Sequence, residues 1–158
     1  MHVMRMSHFS ALLGKRAGMG DEDVDLLLLA SPMHDIGKVG IPDGILLKPA
    51  KLESDEWEIM KTHADIGGKI LSRGKSKLLQ MSELIALTHQ EKWDGSGYLR
   101  GLKGNEIPLI GRITALCDVF DALTSKRPYK KAWTVEDAMN LIERESGKHF
   151  DPELVPPV

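Results

Sequence analysis

No stretch of this 158-residue chain alternates apolar and polar residues with the period of two that a half-buried strand requires. Apolar residues recur at three- and four-residue spacings instead, which predicts an all-α domain. Val3, Met6, Phe9, Leu12 and Leu13 outline an amphipathic helix ending near Gly18. It starts without a capping residue, as expected of a chain cut from something longer. Asp21 is placed to cap a second helix through Val24, Leu27, Leu28 and Ala30, kinked by Pro32 just before His34-Asp35 and stopped at Gly37. Lys38 to Lys51 then reads as a structured loop. Ser54 caps a helix carrying Trp57, Ile59, Met60, His63, Ile66 and Ile70, and Lys77 to Glu91 makes the next. Asp94 to Pro108 is a long glycine-rich loop, a kind of segment that usually carries function. Ile110 to Thr124 is a strongly apolar helix, Ser125 to Trp133 a loop, and Thr134 caps a last helix from Val135 to Ser146.

The length suits one domain spanning 1–158. A formal net charge of −2 lacks the basic stripe of a protein that tracks nucleic-acid backbone, so a polymeric nucleic-acid partner is disfavoured. The single cysteine, Cys117, excludes an internal disulfide framework and suits a reducing compartment. Val24 to Ala30 is the longest apolar stretch, interrupted by Asp25 and too short to span a bilayer. With no signal peptide in the opening residues, a cytoplasmic location is the expectation.

The residues that carry chemistry come in an order. His34, Asp35, His63, His89 and Asp118 each fall near the end or middle of a predicted helix, about one helix-plus-loop apart. A helical bundle builds a metal site in this way, projecting side chains from facing helices into one core, and mixed imidazole and carboxylate donors suit iron, manganese or zinc. A lone histidine is more often a core or surface residue than a ligand. His34 beside Asp35 is more telling, because a carboxylate next to a histidine can bridge two cations roughly 3.5–4 Å apart, the separation at which a shared hydroxide becomes a nucleophile at neutral pH.

Around these residues lie two longer blocks. His34-Asp35-Ile36-Gly37-Lys38 with Ile41-Pro42-Asp43 resembles the first signature of the HD-GYP family. His89-Gln90-Glu91-Lys92-Trp93-Asp94-Gly95-Ser96-Gly97-Tyr98, continuing to Gly101-Leu102-Lys103-Gly104 and Ile107-Pro108-Leu109, resembles its second. Met60-Lys61-Thr62-His63 and Cys117-Asp118-Val119-Phe120-Asp121-Ala122-Leu123, with Thr124 through Tyr129, match the remaining blocks, so the likeness runs from about His2 to Leu154.

The resemblance implies a single helical-bundle domain of the HD type: a metal-dependent phosphodiesterase that hydrolyses cyclic di-GMP to pGpG or onward to GMP in bacterial second-messenger signalling. It implies His2, His34, Asp35, His63, His89 and Asp118 as ligands of divalent ions, with iron or manganese ahead of zinc, nickel or magnesium. Asp35 and Lys38 are the implied catalytic residues, Lys38 meeting the scissile phosphate while Arg127 and Lys130 hold the substrate's phosphates. Lys38 is a compact positive charge and Arg127 a planar fork suited to phosphate. An upstream receiver or sensory domain and a GGDEF-type protein are the implied partners.

Three departures matter. The second signature normally has two adjacent histidines, and here the second is Gln90, whose neutral carbonyl oxygen is a poorer donor than imidazole. This opens an alternative reading, a catalytically weakened module that binds nucleotide or a partner protein. Leu99 replaces the signature's final proline. Members with a third ion use a glutamate one helical turn before the position of His2, which this sequence does not include, so a two-metal site, or one full and one partial site, is the most that is implied. His8 and His149 are expected to be structural or exposed, Trp57, Trp93 and Trp133 to pack in the core rather than stack on bases, and the methionines to fill the core.

Overall fold

A computed structural model describes residues 2–126 and 130–155, with side chains from Met4 onward. Every regular element among them is helical: α1 (His2–Arg16), α2 (Asp21–Ala30), α3 (Asp43–Leu46), α4 (Ser54–Lys61), α5 (His63–Leu71), α6 (Lys77–Thr88), α7 (Leu109–Thr124) and α8 (Val135–Arg144). Short 3₁₀ segments occur at Ser31–Met33, Ile36–Gly40 and Gly104–Glu106. The all-α expectation holds.

α1 packs on α2 and α7, α6 lies against α2, α5 and α7, and α8 closes on α7. Their shared face buries Met6, Leu27, Ile85, Ile113, Leu116, Cys117 and Ile142, with Phe150 and Leu154 folding back onto it. Leu27, Ile85, Ile113 and Ile142 are fully buried, each contributing about 2 kcal/mol from apolar area removed from water. This core holds α2, α6 and α7 at fixed separation. The ends of α2 and α6 and the middle of α7 carry the chemistry-bearing residues.

Several boundaries differ from those the sequence predicts. Asp21 is the first helical residue of α2 and Gly20 its N-cap, so Asp21, Glu22 and Asp23 act on the helix dipole rather than as caps. Pro32 does not kink a continuing helix. Lacking an N–H, it cannot extend the i to i−4 ladder, and the chain tightens into the 3₁₀ turn Ser31–Met33. Gly37 is not a helix stop but a buried residue inside the second 3₁₀ segment. A Cβ there would overlap the His63 carbonyl oxygen and the Gly67 amide, so only glycine lets this segment lie on α5. The predicted helix from Ser54 is two helices broken at Thr62, whose Oγ1 donates to the Ile59 carbonyl at 2.6 Å. Glu53, not Ser54, occupies its N-cap, where its amide donates to Glu56 Oε1 at 2.9 Å. α6 stops at Thr88 rather than Glu91.

The tryptophans do not pack in the core. Trp57 is 45 % exposed, because α4 lies on the surface and buries none of its residues, while Trp93 and Trp133 are half-buried. Among the described methionines Met6 is fully buried and half-buried Met19, Met81 and Met139 pack against the core, as expected, while Met4 is exposed. His8 is exposed, and His149 stacks on Phe150 with ring centroids 4.2 Å apart, as expected of structural residues.

Gly37→Ala should destabilise the fold by about 3 kcal/mol, since backbone meets backbone and neither side can yield. Gly44→Ala, where a Cβ meets nothing within 4 Å, should be neutral or slightly stabilising. Thermal denaturation of the two variants side by side reads the difference.

Candidate metal centre

The centre is assembled by three histidines that share one local device. His34 Nδ1 lies 2.8 Å from the Ser31 carbonyl oxygen, and His63 Nδ1 lies 2.7 Å from that of Met60. His89 Nδ1 is bracketed by the Ile85 and Ala86 carbonyls at 3.1 and 3.2 Å. A carbonyl oxygen only accepts, so each Nδ1 carries its hydrogen and each neutral ring presents Nε2 as a lone pair. Each histidine sits where a helix or 3₁₀ turn leaves such a carbonyl within reach: His34 after Ser31–Met33, His63 at the start of α5, His89 as the C-cap of α6.

The three Nε2 atoms converge on Asp35. His34 Nε2 stands 3.1 Å from Asp35 Oδ2, and His63 and His89 Nε2 stand 3.5 and 3.3 Å from Asp35 Oδ1. Asp118, from the middle of α7, approaches His34 Nε2 at 3.4 Å through Oδ1. Ligand atoms of Asp35, His63 and His89 all lie within 4.8 Å of one another. The Nε2 atoms of all three histidines and Asp35 Oδ1 are buried without a hydrogen-bond partner. Four lone-pair-bearing atoms buried face to face repel one another, and a divalent cation among them turns that cost into coordination. The backbone carbonyls behind the rings are the outer support expected of metal-bound imidazoles. These residues fit a divalent metal ion.

The electrostatics agree. Burial opposes charge on His34, but the Asp118 and Asp35 carboxylates outweigh it and raise the imidazole to about 10. Burial likewise opposes charge on Asp35, yet the close imidazoles of His34, His63 and His89 hold the carboxyl far below the ordinary range. Without metal, a proton on His34 supplies the positive charge that a cation would bring.

Lys38 reaches the rim, its Nζ 3.1 Å from Asp35 Oδ2. Thus His34, Asp35, Lys38, His63, His89 and Asp118 are brought together. Lys130 is exposed and lines an open concavity with Lys131, Trp133 and Arg144, which no cluster residue lines. The side chain of His2 and all of Arg127 lie outside the described residues. Gln90 is half-buried beside His89, and its backbone carbonyl accepts from the Tyr98 amide at 3.2 Å.

Two supporting residues escape sequence reasoning. Glu91 is buried, and its Oε2 and Oε1 accept from the Arg100 and Leu102 amides at 3.0 and 3.1 Å, drawing the glycine-rich loop back onto the end of α6. Gly97 allows that return, because a Cβ there would overlap the Gln90 carbonyl and the Lys92 amide. Tyr98 is thereby brought to 6.3 Å from the His63 ring, and its phenol is raised by burial and by Asp35 and Asp118. Asp121, buried one turn beyond Asp118, takes Arg5 Nε at 3.3 Å and so ties α1 to α7. Only a charged residue inside a signature block hinted at either acid.

A family model described as an HD domain matches residues 2–154. The chain belongs to the HD domain family. It is 51% identical over 154 residues to a cyclic di-GMP phosphodiesterase of Thermotoga maritima, covering 98% of this chain and 42% of that protein. It is 49% identical over 154 residues to the 3'3'-cGAMP-specific phosphodiesterase 2 of Vibrio cholerae, covering 98% and 30%. The response regulator RpfG of Xanthomonas campestris, named a cyclic di-GMP phosphodiesterase, is 48% identical over 151 residues, covering 96% and 40%. This HD domain chain therefore spans less than half the length of these relatives. Its fold is shared with the crystal structure of a cyclic GMP-AMP phosphodiesterase of V. cholerae, at a TM-score of 0.74 and 20% identity over 98% of this chain and 42% of that one. The HD-GYP resemblance is borne out by these relatives. No described helix is long and apolar enough to cross a membrane.

Metal uptake should depend on pH through His34. Its raised value means that a cation displaces a proton, so affinity should climb about tenfold per pH unit toward about 10. In the metal-free domain the sign reverses. The stabilisation from charged His34 is full below 6.5 and is lost as pH rises through about 10, while that from Asp35 is full above 3.8 and fades below it. Denaturant titrations with and without metal across this range should diverge on the alkaline side.

Proposed function

We propose that this HD domain is the catalytic part of a metal-dependent phosphodiesterase acting on a cyclic dinucleotide, cyclic di-GMP, with pGpG or GMP as product. The observation that carries the reading is the convergence of three Nε2 lone pairs on Asp35 with a lysine at the rim. His34, Asp35, His63, His89 and Asp118 are the proposed ligands, joined by His2 from α1, for two divalent ions. Imidazole mixed with carboxylate favours iron or manganese over calcium-type oxygen sites. When bound, such ions supply Lewis-acid charge at the phosphoryl oxygens and water of lowered pKa. Asp35 turns one oxygen toward His34 and the other toward His63 and His89, which supports a role for it toward both ions. Lys38 carries positive charge at the rim, where a phosphoryl oxygen gains charge as the ester opens. Arg127 and Lys130 would hold the substrate's phosphates.

The lengths of the relatives, and the name of the response regulator among them, support a longer signalling protein with an upstream receiver or sensory domain. A cytoplasmic location follows from an intracellular nucleotide substrate. A GGDEF-type protein is the partner that the family resemblance suggests. Gln90 favours a second reading, a domain whose weakened metal site has left it a binding module.

Protein purified anaerobically and supplied with iron or manganese should hold two ions per chain and hydrolyse cyclic di-GMP. Asp35→Ala should lose both properties. Lys38→Ala should keep the metal and lower kcat by about 10²-fold, the scale of one transition-state charge contact. An absence of turnover under every ion would sink the enzyme reading. Recovery of metal and turnover in Gln90→His would then establish the binding module.

A further inference from the structure

Tyr98 has a second face. With Glu58, Lys61, Thr62, Asp65 and Leu99 it lines a cavity of about 280 Å³ beside the metal cluster. Thr62 immediately precedes His63, and the Tyr98 ring meets the His63 ring edge to face at 6.3 Å, so one aromatic side chain separates the cavity from the proposed ligands. Lys61 Nζ stands 5.9 Å from the Tyr98 ring centroid and 2.8 Å from Glu58 Oε1. At the rim, exposed Trp57 braces Tyr98 edge to face at 6.1 Å.

The cavity therefore joins an aromatic wall, a cationic donor and a carboxylate acceptor at close range. Those are the complements of guanine, which offers a π-face, the acceptors O6 and N7, and the donors N1–H and the 2-amino group. Adenine places an amino donor where guanine has O6 and lacks the 2-amino group, so Lys61 would face a donor and Glu58 would lose its partner. In the free protein Lys61 and Glu58 satisfy each other. A nucleotide carries its base one sugar away from its phosphorus, which suits a base cavity separated from the metal cluster by one side chain.

We propose that this cavity is a guanine-reading subsite of the same active site, with Tyr98 as its wall, Lys61 donating to O6 and Glu58 accepting from N1–H and the 2-amino group. The inference rests on the cyclic-dinucleotide reading for its substrate. Its test needs binding alone, so it stands apart from whether the domain turns substrate over.

The experiment is calorimetric titration of the metal-loaded protein with cyclic di-GMP and with cyclic di-AMP, for the unaltered chain, Lys61→Met and Glu58→Gln. Metal content and melting temperature serve as controls on folding. The unaltered chain should bind cyclic di-GMP about ten- to a hundredfold more tightly than cyclic di-AMP, the discrimination expected of one well-placed pair of base contacts. Each variant should weaken cyclic di-GMP binding roughly tenfold and narrow the preference, with cyclic di-AMP affinity little changed. Equal losses for both nucleotides, unchanged affinities in the variants, or no preference in the unaltered chain would each overturn the subsite. Turnover of cyclic di-GMP with no guanine preference would retain the phosphodiesterase and discard this inference. Guanine-selective binding without turnover would do the reverse.

Discussion

The donation of an Nδ1 hydrogen to a nearby backbone carbonyl, made three times, is the interaction on which the rest of this domain turns. Each bond fixes a ring's orientation, so that Nε2 of His34 faces Asp35 Oδ2 while Nε2 of His63 and of His89 face Asp35 Oδ1. The Ser31 and Ile85 carbonyls also accept the backbone amides of His34 and His89, so each of these rings uses the second lone pair of an oxygen one turn back. The breaks at Ser31–Met33, at Thr62 and after Thr88 set the direction in which each ring leaves the backbone.

A point surrounded by lone pairs and carboxylates carries a debt of positive charge. The cluster meets it in graded ways: a proton held tightly on His34, a lysine at the rim, and the room for a divalent cation that the donor set describes. Metal and proton are therefore competitors for the same site. The apolar core contributes by rigidity, holding α2, α6 and α7 so that their side chains cannot relax away from one another.

The glycine-rich loop plays a different part. Glu91 and Gly97 fold it back upon the end of α6, where Tyr98 separates the cluster from the cavity of Glu58 and Lys61. The His–Asp cluster and this cavity thus share a wall, which gives the loop a structural reason to be long and ordered although it has almost no regular structure.

Much of this was legible in the chain. Apolar spacing determined the all-α class and the positions of α1, α2, α6, α7 and α8 within a few residues, because amphipathic periodicity reflects one-sided burial directly. The order and chemistry of His34, Asp35, His63, His89 and Asp118, together with the signature blocks around them, singled out the residues that the fold brings into one cluster. What the chain could not disclose depends on backbone placed by distant contacts. Gly37 reads as a helix stop until α5 is packed against it. Trp57 reads as core until α4 proves to lie on the surface. Glu91 reads as one more acid until the loop amides arrive at its oxygens. Sequence determined which atoms could bind, because donor chemistry is local. Only the tertiary structure decided where those atoms point and what stands behind them, because orientation is set by carbonyls and backbone from other turns of the chain.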